Sequence, residues 1–214
     1  MVNLVGQLPL HPTKKVSIRK LSDINLVVLH CTDSDIQDPF SYNRYDLGPN
    51  HISKDGLSSI SYHDMIDREG NVFHTAEYIW KTAHAGAWNG KSVAVALMYS
   101  PSKPVDNGTV GPTGVALSSA AQHIANLCMK WKLNPMTSVR GHRELEGTGW
   151  IWKKDNKALL KTCPGSKIQL DSFRSLIVRC MQTELMAAGY KLKIDGNFGP
   201  VTEIALERYY ESLT

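Results

Sequence analysis

From Ile24 to His30 the chain reads INLVVLH, an almost unbroken apolar run rich in β-branched residues. Such a run marks a strand covered on both faces. KSVAVALMYS (Lys91–Ser100) has the same character, and SVRGH (Ser138–His142) predicts a shorter strand. SISYHDMI and VFHTA flank the polar turn Asp67–Asn71 and predict a hairpin. CTDSDIQDPFSYNRYDLGPN predicts a loop running into a helix start, and residues 1–23 carry no strong period. From Leu117 to Trp131 the spacing turns helical, with Leu117, Ala121, Ile124, Cys128 and Trp131 on one face. Phe173, Leu176, Ile177, Cys180 and Met181 predict a second amphipathic helix. Pro200 opens a third, with Val201, Ala205, Tyr209 and Leu213 on one side. Strands alternate with helices, so the pattern predicts an α/β fold: a mixed central β-sheet flanked by helices over residues 1–168. A small helical C-terminal domain, residues 169–214, follows. That tail is near the size below which a lone domain is rarely stable, so it is expected to lean on its neighbour.

Composition narrows the class without naming a function. The chain has 214 residues, 42% hydrophobic and 21% charged, which is ordinary for a globular protein. Its net charge of +4 suits an anionic polymer partner, but the cations are scattered, which argues against a nucleic-acid tail. No apolar run approaches the ~18 residues of a membrane span, so no stable membrane insertion is expected. MVNLVGQLPLHPTKK lacks the layout of a secretory signal, so the product is expected to stay at first in the cytoplasm where it is made. Cys31, Cys128, Cys163 and Cys180 are widely spaced with no CxxC pair, which argues against a disulfide framework in a reducing compartment.

The candidate chemistry lies at strand ends. His30 and His142 each close a predicted strand, and Cys163 follows in LLKTCPG. Two imidazoles and a thiolate are a sound zinc set: three protein ligands, with a fourth position open to water. Zinc there would lower the pKa of its water and polarise a carbonyl, while a nearby lysine and a phenol would stabilise an oxyanion. A Cys–His nucleophile pair is an equally open reading of the spacing alone.

The motifs favour the first reading. VVLHCTDSD, ISYHDMIDREGNVFH, TAHAGAWNGKSVAVAL, VRGHRE and KTCPG occur in this order over residues 24–166. In them the chain resembles the zinc-dependent N-acetylmuramoyl-L-alanine amidases, the group that includes phage endolysins and animal peptidoglycan recognition proteins. The resemblance implies His30, His142 and Cys163 as zinc ligands, Tyr62 and Lys161 as catalytic residues, and His84 and Asn89 beside the substrate groove. It implies hydrolysis of the amide between N-acetylmuramic acid and L-alanine of bacterial peptidoglycan; the chain is expected to be a monomer. For a phage endolysin, the host cytoplasm would be a waiting place before release to the wall. One departure is the twenty-residue segment RELEGTGWIWKKDNKALLKT between the second and third ligands. Its Trp150 and Trp152 could wall the substrate cleft or pack down on the domain. The tail, VRCMQTELMAAGYKLKIDGNFGPVTEIALERYY, is similar to a peptidoglycan-binding helical repeat through Asp195, Gly196, Phe198, Gly199 and Thr202. Thr202 is expected to cap the last helix.

Other readings compete with this one. A non-catalytic peptidoglycan recogniser is the rival from another class, but family members that only recognise wall lack the third ligand, and Cys163 is present. A muramidase would need two carboxylates across a sugar cleft, and no such pair stands in a motif. His63 is expected to pack behind Tyr62 and is the runner-up ligand to His142. Cys31 and Cys128 are expected in the core, Glu144 in an ion pair, and His11, His51, His74 and His123 in surface or core roles.

Overall fold

The computed structural model describes residues 1–50, 52–101, 111–145, 152–154, 157–159 and 162–213. The predicted Lys161 and Trp150 lie outside them, as does His51. Among the described residues, six strands form one mixed sheet in the order β1-β4-β3-β5-β2-β6. These are β1 (Val2–Asn3), β2 (Leu26–Cys31), β3 (Asp64–Ile66), β4 (Val72–His74), β5 (Ser92–Leu97) and β6 (Val139–Gly141). β7 (Trp152–Lys154) and β8 (Lys157–Leu159) pair antiparallel within the insertion, a hairpin its composition did not announce. The helices are α1 (Pro39–Leu47), α2 (Gly114–Trp131), α3 (Pro135–Ser138), α4 (Leu170–Ala187) and α5 (Pro200–Glu211). The expected mixed sheet with flanking helices is therefore present.

β2 is the axis of the fold. It lies between β5 and β6, parallel to both, with Leu26 beside Ser92 and Val27 beside Val139. Parallel pairs need crossovers, and helices covering both faces explain the apolar runs. The alternation of a strand then sorts its side chains. Val27, Leu29 and Cys31 join Val93, Val95 and Leu97 in the main core under α2 and α4. Val28 turns to the opposite face with Ala85 and Leu145, and His30 shares that parity.

The capping follows from sequence. Asp38 accepts the amides of Phe40 and Ser41 at the start of α1, and Thr113 Oγ1 accepts the Ala116 amide at the start of α2. Lys132 ends α2 in the left-handed region. The buried face of α2 centres on Ala121, Ile124 and Cys128, with Leu117 and Trp131 half-buried at its margins.

Two predicted helix faces need correction. On α4 the buried residues include Phe173, Ile177, Val178, Met181 and Leu185, while Leu176 is exposed. On α5 Thr202, Ala205 and Leu206 are buried and Val201 is exposed, as is Leu213 beyond it. Thr202 is not the N-cap: Gly199 is, and Thr202 Oγ1 instead accepts from the buried Gln182 side chain. Gln182 also donates to Asp195 Oδ1 and the Asn197 carbonyl and accepts the Gly196 amide, so one side chain holds the whole Asp195–Asn197 turn. Ile177, Met181, Leu185, Ala205 and Leu206 belong to the same apolar cluster as the sheet and α2. The helices α4 and α5 thus share a core with the sheet.

A buried carboxylate binds the helix layer to the hairpin. Asp64 Oδ1 lies 2.8 Å from His74 Nδ1 and its Oδ2 3.0 Å from His123 Nε2 on α2, with the Tyr78 hydroxyl donating as well. Burial pushes this carboxyl up, but the hydrogen bonds from His123 and His74 outweigh it and carry the pKa down to about 2.

Candidate metal centre

β2 delivers His30 one residue before its end, on the face opposite the main core, and the ring is 1% exposed. β6 ends at Gly141, and a short 3-10 turn, His142–Glu144, follows directly. Because β2 and β6 are adjacent and parallel, their C-terminal ends lie on one edge of the sheet. The His30 and His142 rings are 4.6 Å apart between centroids. Gly141 allows a close approach here: a Cβ would stand 2.7 Å from Leu170 Cδ1 and 3.0 Å from Pro164 Cδ, so these neighbours would have to shift.

The third donor arrives on a loop clamped to the same turn. The Arg143 amide donates to the Cys163 carbonyl at 2.8 Å, and its guanidinium binds the Gly165 and Ile168 carbonyls. Gly165 has φ +99°, and a Cβ there would meet Tyr99 Oη at 2.7 Å, so only glycine fits. Glu144 accepts the Gly141 amide and pairs with Arg174 of α4, which also donates to the Val139 carbonyl. This fulfils the ion-pair reading of Glu144 and ties α4 to the turn bearing His142.

The ligand atoms of His30, His142 and Cys163 all lie within 4.8 Å of one another. Cys163 Sγ is 3.7 Å from His30 Nδ1. A tetrahedral zinc with ordinary bonds would separate a sulfur and a nitrogen ligand by about 3.6 Å, so these residues fit the metal. The Cys31 amide donates to Cys163 Sγ at 3.3 Å, a contact that favours thiolate. Cys31 itself is buried in the main core, as its alternation with His30 predicted.

Around the three donors lie the other expected residues. The Tyr62 ring is 5.2 Å from that of His30. Burial, and then the neighbouring Cys163 and Asp46, push its phenol well above the ordinary value, so it stays protonated. His84 lies behind His30, with its Nδ1 3.0 Å from His30 Nε2 and its Nε2 3.1 Å from Ser92 Oγ. Burial, followed by His63 and His142, holds it well below the usual histidine range. Asn89 Oδ1 accepts the amides of both His84 and Ala85, so this side chain fixes the loop that carries His84.

His63 is fully buried outside the donor triple. Its Nδ1 accepts the Ala94 amide at 3.0 Å, and its Nε2 lies 3.0 Å from the Trp80 carbonyl and 3.1 Å from the Arg19 guanidinium. Burial and the nearby Arg19 lower its pKa to about 4. Ser92, Arg143 and Arg174 support the site although the sequence motifs assign them no role. The period-2 pattern of β5 could have flagged Ser92, since Val93 and Val95 face the helices and the serine must turn to the site.

The family model described as N-acetylmuramoyl-L-alanine amidase matches residues 20–166. No curated protein matches the sequence significantly. Among solved structures, the fold is similar to the N-acetylmuramoyl-L-alanine amidase LysC from Clostridium intestinale, at 15% identity and TM-score 0.57, covering 81% of this chain and 94% of that one. The endolysin of the Thermus scotoductus bacteriophage Ph2119 is similar at 17% identity and TM-score 0.56, covering 82% and 97%. Drosophila peptidoglycan recognition protein LB follows at 19% identity and TM-score 0.52, covering 77% and 86%. With most of its length matched by the family model, and His30, His142 and Cys163 drawn together at one sheet edge, the chain belongs to the N-acetylmuramoyl-L-alanine amidase family.

Proposed function

We infer that the protein hydrolyses the amide joining the lactyl group of N-acetylmuramic acid to L-alanine in bacterial peptidoglycan, using zinc held by His30, His142 and Cys163. The observation that carries this reading is the convergence of two buried imidazoles and a thiol, within 4.8 Å, in a chain of the amidase family. When bound, the metal supplies Lewis-acid activation of water and of the scissile carbonyl. The chain's own residues do the rest. Tyr62, kept protonated by burial, orients the attacking water through its hydroxyl. Lys161 is assigned the developing oxyanion. His84, standing behind His30, and Asn89, which holds the backbone of His84, are assigned the support of the groove beside the metal centre. The proton given up by the attacking water passes to the L-alanine nitrogen, which leaves as the amine.

The proposed partner is the wall polymer, with residues 169–214 adding wall contact, and the enzyme acts as a monomer in phage lysis. The endolysin among the structural neighbours supports that setting. Among the described residues no helix is long and apolar enough to cross a membrane. Likeness to proteins named for peptidoglycan recognition supports a second reading, wall binding without hydrolysis; the presence of Cys163 favours the enzyme.

The test is digestion of purified peptidoglycan with and without a zinc chelator. New L-alanine amino termini that vanish with chelator are expected. New reducing ends would identify a glycosidase instead, and binding to wall without either product would favour recognition alone.

A further inference from the structure

Behind the candidate metal centre three side chains stand in a line. His30 Nε2 is 3.0 Å from His84 Nδ1, His84 Nε2 is 3.1 Å from Ser92 Oγ, and Ser92 Oγ is 2.7 Å from the Trp88 carbonyl. His30, His84 and Ser92 are all buried, so bulk water does not compete for these contacts.

The far end of the line sets its direction. A carbonyl oxygen only accepts, so the single hydroxyl proton of Ser92 goes to Trp88. Ser92 Oγ then faces His84 with lone pairs, and His84 must carry its proton on Nε2. That leaves His84 Nδ1 as an acceptor, and the proton in the next contact belongs to His30 Nε2. A neutral His30 protonated at Nε2 presents a bare Nδ1, the nitrogen that faces Cys163 Sγ at 3.7 Å. The opposite tautomer of His84 would donate from Nδ1 and drive the His30 proton to its own Nδ1, where it blocks ligation. Metal-bound histidines commonly have their other nitrogen oriented by a carboxylate or carbonyl. Here the orienting carbonyl is reached through a histidine and a serine.

We propose that Ser92 is a positioning residue that, through His84, locks His30 in the tautomer able to bind a metal through Nδ1. The proposal rests on the zinc reading for its purpose but not for its geometry. Local structure supports it: Asn89 Oδ1 pins the backbone of His84, and β5 fixes Ser92 by pairing with β2.

Two measurements test it. The first is the 15N spectrum of metal-free protein labelled at histidine, at neutral pH. Nε2–H is expected at both His30 and His84, and Nδ1–H at either overturns the proposal. This arm needs no zinc and no variant. The second is zinc affinity by competition with a chromogenic chelator, with far-UV circular dichroism as the control for folding. Ser92→Ala and His84→Ala are expected to bind zinc about 10–100-fold more weakly, and His84→Asn, which returns an acceptor near Nδ1, to recover part of the loss. Affinity within twofold of wild type in a folded Ser92→Ala protein overturns the lock. A wild-type protein that takes up no zinc overturns the metal reading and the purpose of the lock together, while the tautomers still decide whether the relay exists.

Discussion

Arg174 joins the C-terminal helices to the turn that holds His142, and its removal has a cost that can be worked out contact by contact. The side chain is 4% exposed. In Arg174→Ala the Val139 carbonyl loses a buried donor, worth about 1–2 kcal/mol. The pair with Glu144 is discounted because that carboxylate is 28% exposed, and about 1 kcal/mol is assigned to it. The pair with Asp171 adds nothing, since that carboxylate is 93% exposed. Loss of the packed aliphatic stem contributes about 1 kcal/mol. The sum is about 3–4 kcal/mol, and at about 2–4 °C per kcal/mol it corresponds to a fall in Tm of roughly 6–16 °C. Urea unfolding followed by circular dichroism should show a lower midpoint with an unchanged slope. Asp171→Ala is the control and should be silent. A loss under about 1 kcal/mol in Arg174→Ala, or an equal loss in Asp171→Ala, would refute the reasoning that burial decides which of these pairs matters.

Three further outcomes are expected. Cys163→Ser should lose most of its zinc affinity and nearly all hydrolysis while keeping its circular dichroism spectrum; full activity would remove Cys163 from the ligand set. Gly141→Ala should cost about 1–3 kcal/mol through overpacking against Leu170 and Pro164, and it should reduce zinc affinity as well, because His142 must shift with its neighbour. His63, depressed from 6.5 to about 4, contributes stability that is complete above pH 6.5 and lost as pH falls toward 4, about 3 kcal/mol in all. Asp46, raised to about 6 by burial, acts oppositely over part of that window. The measurement is therefore the difference between wild type and His63→Gln in urea midpoint against pH, and identical slopes would contradict it.

The strands and the three donors were legible because each rests on a strong local signal. INLVVLH and KSVAVAL need two covered faces, and a histidine at the end of such a strand has one edge of the sheet to occupy. The helix faces of α4 and α5 were harder to read. Leu176, Val201 and Leu213 are apolar yet exposed, so composition pointed to the wrong stripe, while a buried Thr202 and Gln182 are polar residues satisfied only by one another and by a turn. The Asp64 cluster was equally hidden. His74 and His123 are distant in sequence, and nothing in either marks a shared carboxylate. β1 escaped notice because two residues pairing with β4 leave no period to detect.

The parallel pairing of β2 with β5 and β6 has a consequence for how the molecule is made. β2 leaves the ribosome with almost every side chain committed to a covered face, yet both of its neighbours are encoded much later than it is. Such non-local pairing is slow, because long loops must close before any contact rewards them. Cys163 is translated after both, and the helix that braces the His142 turn comes later still. Until those segments follow, the nascent chain carries an apolar strand without its sheet partners and two histidines without the thiol they will face. The cluster of His30, His142 and Cys163 is therefore assembled late, and until then the protein depends on staying unaggregated rather than on being folded.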